Sequence, residues 1–172
     1  MRIISIDPGT MHCGVVVWFI NPNNLSIRDM LSFTIEVNPN LNVEDRIWLL
    51  KEKLLDIYID FNPIHLAHES AFLNRLRPMA YGPIYTTINV IRKSFIDYSG
   101  SFNSIFSYPP KLVKSFVSKG TANKDDMRSA VTNLKELQPF LTGYESEHEI
   151  DALAIGYGHI LNIRQLNELL LL

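Results

Sequence analysis

Apolar and polar positions along this chain switch between a period of two and a period near three and a half, and the switches mark its elements. Ile3, Ile4 and Ile6 form a β-branched run that ends in Asp7, and Pro8-Gly9 stops the strand at once. Residues Gly14 to Ile20 are continuously apolar, as in a central strand, and Asn21-Pro22-Asn23-Asn24 turns the chain. Arg28 to Val37 alternates well enough for a third strand. Three successive strands on short connections predict an antiparallel meander.

The period then lengthens. Val43, Ile47, Leu50, Leu54, Ile57 and Tyr58 share one face of a helix over Asn42 to Phe61, with Glu44 and Asp45 complementing the dipole of its first turn. After Asn62-Pro63, the short apolar run Ile64 to Glu69 is a strand that again ends in a carboxylate. Ser70 to Pro83 has no clean period and reads as an aromatic, basic loop leading to a helix over Ile84 to Tyr98. Asn103 to Tyr108 is a strand closed by Pro109-Pro110, and Lys111 to Val117 a short helix. Asn123 caps a helix from Lys124 to about Leu137; Pro139 to Glu145 is a loop. A last helix starts near Ser146 and buries Ile150, Leu153, Ala154, Tyr157, Ile160 and Leu161. The order is β-β-β-α-β-α-β-α-α-α, without repeats.

Its 172 residues suit a single domain spanning 1–172 with a sizeable core. A hydrophobic fraction of 47% beside 20% charged residues is ordinary for a soluble globular protein, and no apolar run reaches the roughly 20 residues that cross a bilayer. The one cysteine, Cys13, excludes an internal disulfide framework and makes the reducing cytoplasm the expected compartment. Net charge is −2, but it is unevenly spread. From Glu69 to Arg128 there are nine basic and four acidic residues; the rest of the chain holds seven basic and fourteen acidic. A basic middle could bring phosphate-contacting charge to a carboxylate site, although a mixed solvated surface gives the same counts.

Two strands that each end in a carboxylate could lie side by side with Asp7 and Glu69 at one edge, although Asp-Pro-Gly is also good turn chemistry. In the last helix His148 and Asp151 are three apart and share a face, and Glu147, four before Asp151, competes for that face. If this helix begins over the strand ends, Asp7, Glu69, His148 and Asp151 converge. Such a set suits Mg²⁺, or Mn²⁺ given the imidazole, better than zinc. Two ions there could activate a water and stabilise a departing oxygen in phosphodiester hydrolysis. His12, His65, His68 and His159 show no partner pattern and read as structural or surface residues.

The element order resembles the ribonuclease H-like fold: an α/β architecture with a five-stranded mixed sheet, three antiparallel strands then two parallel, flanked by helices. The residues resemble the RuvC-type Holliday junction resolvases. Ile6-Asp7-Pro8-Gly9-Thr10 with Gly14 looks like that family's first motif, and Phe61-Asn62-Pro63 through His68-Glu69-Ser70-Ala71-Phe72 like its second. Val113-Lys114 through Gly120-Thr121-Ala122-Asn123-Lys124 is similar to its basic third region, and His148-Glu149-Ile150-Asp151-Ala152-Leu153-Ala154 to its fourth. Each motif is weak alone; four in the right order and spacing are strong.

The resemblance implies a metal-dependent endonuclease that cuts four-way DNA junctions symmetrically. It implies a catalytic set of Asp7, Glu69, His148 and Asp151 on two Mg²⁺ or Mn²⁺ ions, assisted by Lys124. It also implies DNA contacts from Phe72, stacking at the junction centre, and from Lys114 and Lys124; Arg75, Arg77 and Lys119 of the basic middle are further candidate DNA contacts. The family works as a homodimer, and the stripe Ile84, Ile88, Ile91 and Phe95 is a candidate interface that could equally be core. The loop after Phe72 lacks the family's usual sequence, and the Lys114–Lys124 loop is about one residue short. A broader branched-DNA nuclease and a non-catalytic junction-binding module share these expectations in part. Asp-Pro-Gly-Thr also resembles the first phosphate loop of actin- and sugar-kinase-type ATP-binding proteins, which need a second related domain with its own glycine-rich loop; this sequence shows none.

Overall fold

In the computed structural model, which describes residues 1–72, 79 and 81–170, five strands form one sheet in the order β3-β2-β1-β4-β5. The strands are β1 (Arg2–Asp7), β2 (His12–Ile20), β3 (Ile27–Glu36), β4 (His65–Glu69) and β5 (Ile105–Tyr108). β1, β2 and β3 pair antiparallel; β4 runs parallel to β1, and β5 parallel to β4. The helices are α1 (Val43–Phe61), α2 (Tyr81–Ser99), α3 (Pro110–Val117), α4 (Lys124–Thr132) and α5 (Glu147–Leu170). The meander and the switch to parallel strands match the expected ribonuclease H-like plan.

Strand alternation divides the core in two. Ile3, Val16, Trp18 and Ala67 pack toward α3, α4 and α5, whereas Ile4, Ile6, Val15, Val17 and Leu66 pack toward α1 and α2. Asp7 is in phase with Ile3, and Glu69 with Ala67, so both carboxylates share the α5 side. Among the described residues no helix is long and apolar enough to cross a membrane. Cys13 is buried in the core.

Several expected bounds shift. α2 begins at Tyr81 rather than Ile84, because Pro83 falls in its first turn, where a missing N–H removes no helical bond. α4 stops at Thr132 rather than near Leu137; a series of tight turns follows, including a 3₁₀ turn at Gln138–Phe140, and buries Leu137 completely. The interface stripe on α2 is corrected more sharply. Ile88, Ile91 and Phe95 are buried within their own chain, and the Phe95 ring meets that of Tyr58 edge-on at 5.2 Å. That stripe is core. The outward side of α2 carries Tyr81 and Tyr85 instead, stacked on each other and facing solvent.

Candidate active site

Asp7 and Glu69 close the two central parallel strands. The register pairs Ile6 with His68, so the next residues, Asp7 and Glu69, are lateral neighbours at the carboxyl edge of the sheet. Pro8-Gly9 follows Asp7 at once, and the chain returns as β2. A Cβ on Gly9 would lie 1.9 Å from the His12 carbonyl oxygen, so only glycine permits this tight return.

Three devices lay α5 over that edge. Ser146 caps the helix by accepting from the Glu149 amide, and Thr34 of β3 bonds both the Ser146 hydroxyl and the Glu149 carboxylate. Gly14, the cross-strand partner of Asp7, lies under the first turn: a Cβ there would come 2.0 Å from the His148 carbonyl oxygen. One turn on, the Ser5 hydroxyl donates to the Ala152 carbonyl (2.7 Å) and accepts from Trp18 Nε1 (2.8 Å), all buried. The acidic first turn thus supplies the capping glutamate.

With α5 so placed, His148 Nδ1 donates to Asp7 Oδ2 at 2.9 Å. Asp151, one turn further, feels the charge of Asp7 and acts electrostatically on Glu69. Burial, reinforced by the Asp7 and Asp151 charges, pushes the Glu69 carboxyl up to about 8; burial and Asp7 push Asp151 to about 6. Burial also raises Asp7 above the ordinary carboxylate range, against the bond from His148. The same bond raises the His148 imidazole. The sheet edge therefore gathers acidic groups that repel one another's charge, which is the donor chemistry a hard divalent cation relieves. Among the described residues no three such groups already stand as a closed ion cage; His148 and Asp7 hold each other instead.

Glu147 takes a different direction from His148. Its carboxylate pairs with Lys124 at 2.6 Å, both largely exposed, and this ammonium lowers its pKa. Lys114 donates to the Ala122 carbonyl at 2.6 Å, tying down the α3–α4 loop, while its charge acts on Glu69. Lys119 is exposed in that loop. Phe72, 66% exposed, lines a hollow of about 320 Å³ together with Asp7 and Glu69. Arg75 and Arg77, expected DNA contacts, lie outside the described residues.

Four histidines without a sequence pattern find places in the structure. His68 and His159 are buried, and His159 bonds the Tyr108 hydroxyl (2.7 Å) and His65 (3.1 Å). His12 is exposed, but its ring stacks on that of His148, with centroids 5.5 Å apart and planes within 10°. Only alternation could have placed it: His12 and Gly14 point to the same side of β2.

A five-stranded mixed sheet of this order, with clustered acids at the ends of its central strands, defines a ribonuclease H-like protein with a nuclease-type edge. No protein-family model matches the chain. The crossover junction endodeoxyribonuclease RuvC of Orientia tsutsugamushi (strain Boryong) is 29% identical over 165 residues, covering 94% of this chain and 96% of that protein. The RuvC of Prosthecochloris aestuarii is 25% identical over 163 residues, covering 94% and 82%. The Thermus thermophilus RuvC structure superposes with a TM-score of 0.75 at 23% identity, over 96% of both chains. Four ordered motifs, the shared fold and these likenesses over most of the chain support a RuvC-type Holliday junction resolvase.

Proposed function

We propose that this chain is a metal-dependent, structure-selective endonuclease that resolves four-way DNA junctions by symmetric phosphodiester hydrolysis. The observation that carries the reading is the meeting of Asp7, Glu69 and the His148–Asp151 turn at one sheet edge, from segments far apart in sequence. The names of the RuvC relatives, and a T. thermophilus RuvC structure in complex with a Holliday junction substrate, support the same substrate.

Asp7, Glu69, His148 and Asp151 would hold two Mg²⁺ or Mn²⁺ ions. Bound there, such ions supply activation of a water and stabilisation of the departing oxygen. In the ion-free site Glu69, with its pKa near 8, carries a proton on its carboxyl at neutral pH. Asp7 accepts from His148 Nδ1 through Oδ2, which leaves its other oxygen and the His148 Nε2 as the atoms that would face a cation. Lys124 stands at the mouth of the site on its Glu147 tether, where an incoming phosphate can replace the carboxylate. Lys114 and Lys119 offer further charge to the backbone, as do Arg75 and Arg77, and Phe72 offers a ring for an unpaired base.

A second copy of the chain completes the assembly, because two sites related by a two-fold match a two-fold junction. Its contact is sought on the outward side of α2 rather than on the buried stripe. The buried thiol of Cys13 suits a reducing cytoplasm, the compartment we assign to the reaction.

The test is incision of a synthetic four-way junction with Mg²⁺ or Mn²⁺. Paired nicked duplexes, lost on Asp7→Asn, are expected. Comparable cutting of linear duplex would make the protein a broader nuclease, and tight junction binding without incision under either ion would make it a binding module.

A further inference from the structure

We propose that His12 is a positioning residue for the candidate active site, holding the His148 imidazole in the orientation that reaches Asp7; its effect on turnover, though not on the ring itself, rests on the nuclease reading above. His12 opens β2, and its backbone is fixed from both sides. Gly9 folds the return so tightly that its α-carbon abuts the His12 carbonyl, and Met11 accepts from the Val37 amide at 2.9 Å. Alternation then puts the His12 side chain on the same side of the sheet as Gly14 and its cross-strand partner Asp7.

Gly14 contributes no side chain at that point. The space over it is taken by the first turn of α5, from which the His148 ring emerges half-buried. One edge of this ring is fixed by the bond from Nδ1 to Asp7. A single hydrogen bond leaves a ring free to tilt about its own axis. The nearly parallel His12 ring, 5.5 Å away centre to centre, opposes that tilt by offset stacking. A histidine used as a donor needs its ring orientation set by its surroundings, and here a stacked neighbour does so alongside a carboxylate.

His12 is exposed, so its replacement should not endanger folding. His12→Ala and His12→Phe are compared with the wild type by two readouts. The first is junction cleavage under single-turnover conditions across a series of Mn²⁺ concentrations. The second is ¹⁵N NMR of the histidine rings in the metal-free protein at alkaline pH, which reports the tautomer of His148. We expect the wild-type ring to be locked with its proton on Nδ1. His12→Ala should average the two tautomers, slow cleavage about fivefold or more and raise the Mn²⁺ needed for half-maximal rate, leaving junction affinity unchanged. His12→Phe, which keeps the stack, should restore both readouts.

A wild-type ring spectrum in His12→Ala overturns the proposal, whatever happens to the rate. A loss of cleavage that Phe does not restore also overturns it, since His12 would then act on DNA directly. If the wild type cuts no junction, the nuclease reading fails, and the ring spectra still decide the role of His12.

Discussion

Gly14 and His148 touch backbone to backbone: any Cβ at position 14 would lie 2.0 Å from the His148 carbonyl oxygen and 2.4 Å from its carbon. No side-chain rotation relieves a clash with main chain, so Gly14→Ala must lift the first turn of α5 off the sheet. The expected cost is ~1–3 kcal/mol of stability, with the larger consequence in the site. His148 should lose Asp7, and junction cleavage should fall at least as far as in His148→Ala. Urea unfolding and cleavage rates of the two variants check this; a Gly14→Ala protein as active as the wild type would refute it.

The buried bridge from Trp18 through Ser5 to Ala152 leads to a second expectation. Ser5→Ala removes the acceptor for Trp18 Nε1 and the donor to the Ala152 carbonyl, leaving two buried polar groups unsatisfied. Each carries a desolvation cost of ~1–3 kcal/mol. Ser5→Ala should therefore lower the urea midpoint with little change in slope, and destabilise more than Ser26→Ala, whose hydroxyl bonds Asn24 at the exposed turn.

The acidic edge should write itself into the pH dependence of stability. Glu69 binds its proton up to about pH 8 in the folded chain but only up to about 4.5 when exposed. Between those values the folded state holds more protons than the unfolded one, so stability falls as pH rises. Asp151, at about 6, adds to the fall over a narrower window starting from its ordinary 3.8. Buried His68 and His159 act oppositely: depressed from 6.5 to about 4 and about 3, they give stability that is lost as pH falls below about 6.5. In chelator, urea midpoints should thus decline on the alkaline side, and Glu69→Gln should be more stable than the wild type at pH 8. Divalent cations should reverse that decline for the wild type only, because binding displaces the protons.

Lys124 and Glu147 form an exposed pair, of a kind worth ~0–1 kcal/mol to a fold. Lys124→Met should leave thermal unfolding almost unchanged and still slow incision, about tenfold to a hundredfold, if the ammonium meets the phosphate in the transition state. Glu147→Gln should leave the rate near normal, which distinguishes it from His148→Ala. Equal losses for Glu147→Gln and His148→Ala would restore Glu147 as the competing ligand.

Much of this was legible in the chain itself. The strands and the meander followed from alternation and turn residues, the parallel half of the sheet from the family resemblance, and Asp7 and Glu69 stood out because each ends an apolar run. Helix bounds were less legible. Pro83 looked like a stop and proved to be part of the first turn of α2, while the apolar spacing past Thr132 suggested a longer α4 than the tight turns around Leu137 allow. The stripe on α2 was correctly apolar, but periodicity cannot say whether a face meets its own core or another chain; Phe95 meets Tyr58. His12 and His159 were missed because their partners, His148 and Tyr108, are tertiary neighbours. Ser146 and Glu149 carried a readable capping box, a serine followed three residues later by a glutamate.

The hydrogen bond between Asp7 and His148 joins residues 141 positions apart. On a ribosome, Asp7 is made before His148 and waits for the intervening strands and helices before its imidazole arrives. A polypeptide that stops short of α5 therefore has no assembled edge, and the chemistry proposed for it is withheld until that helix has been made.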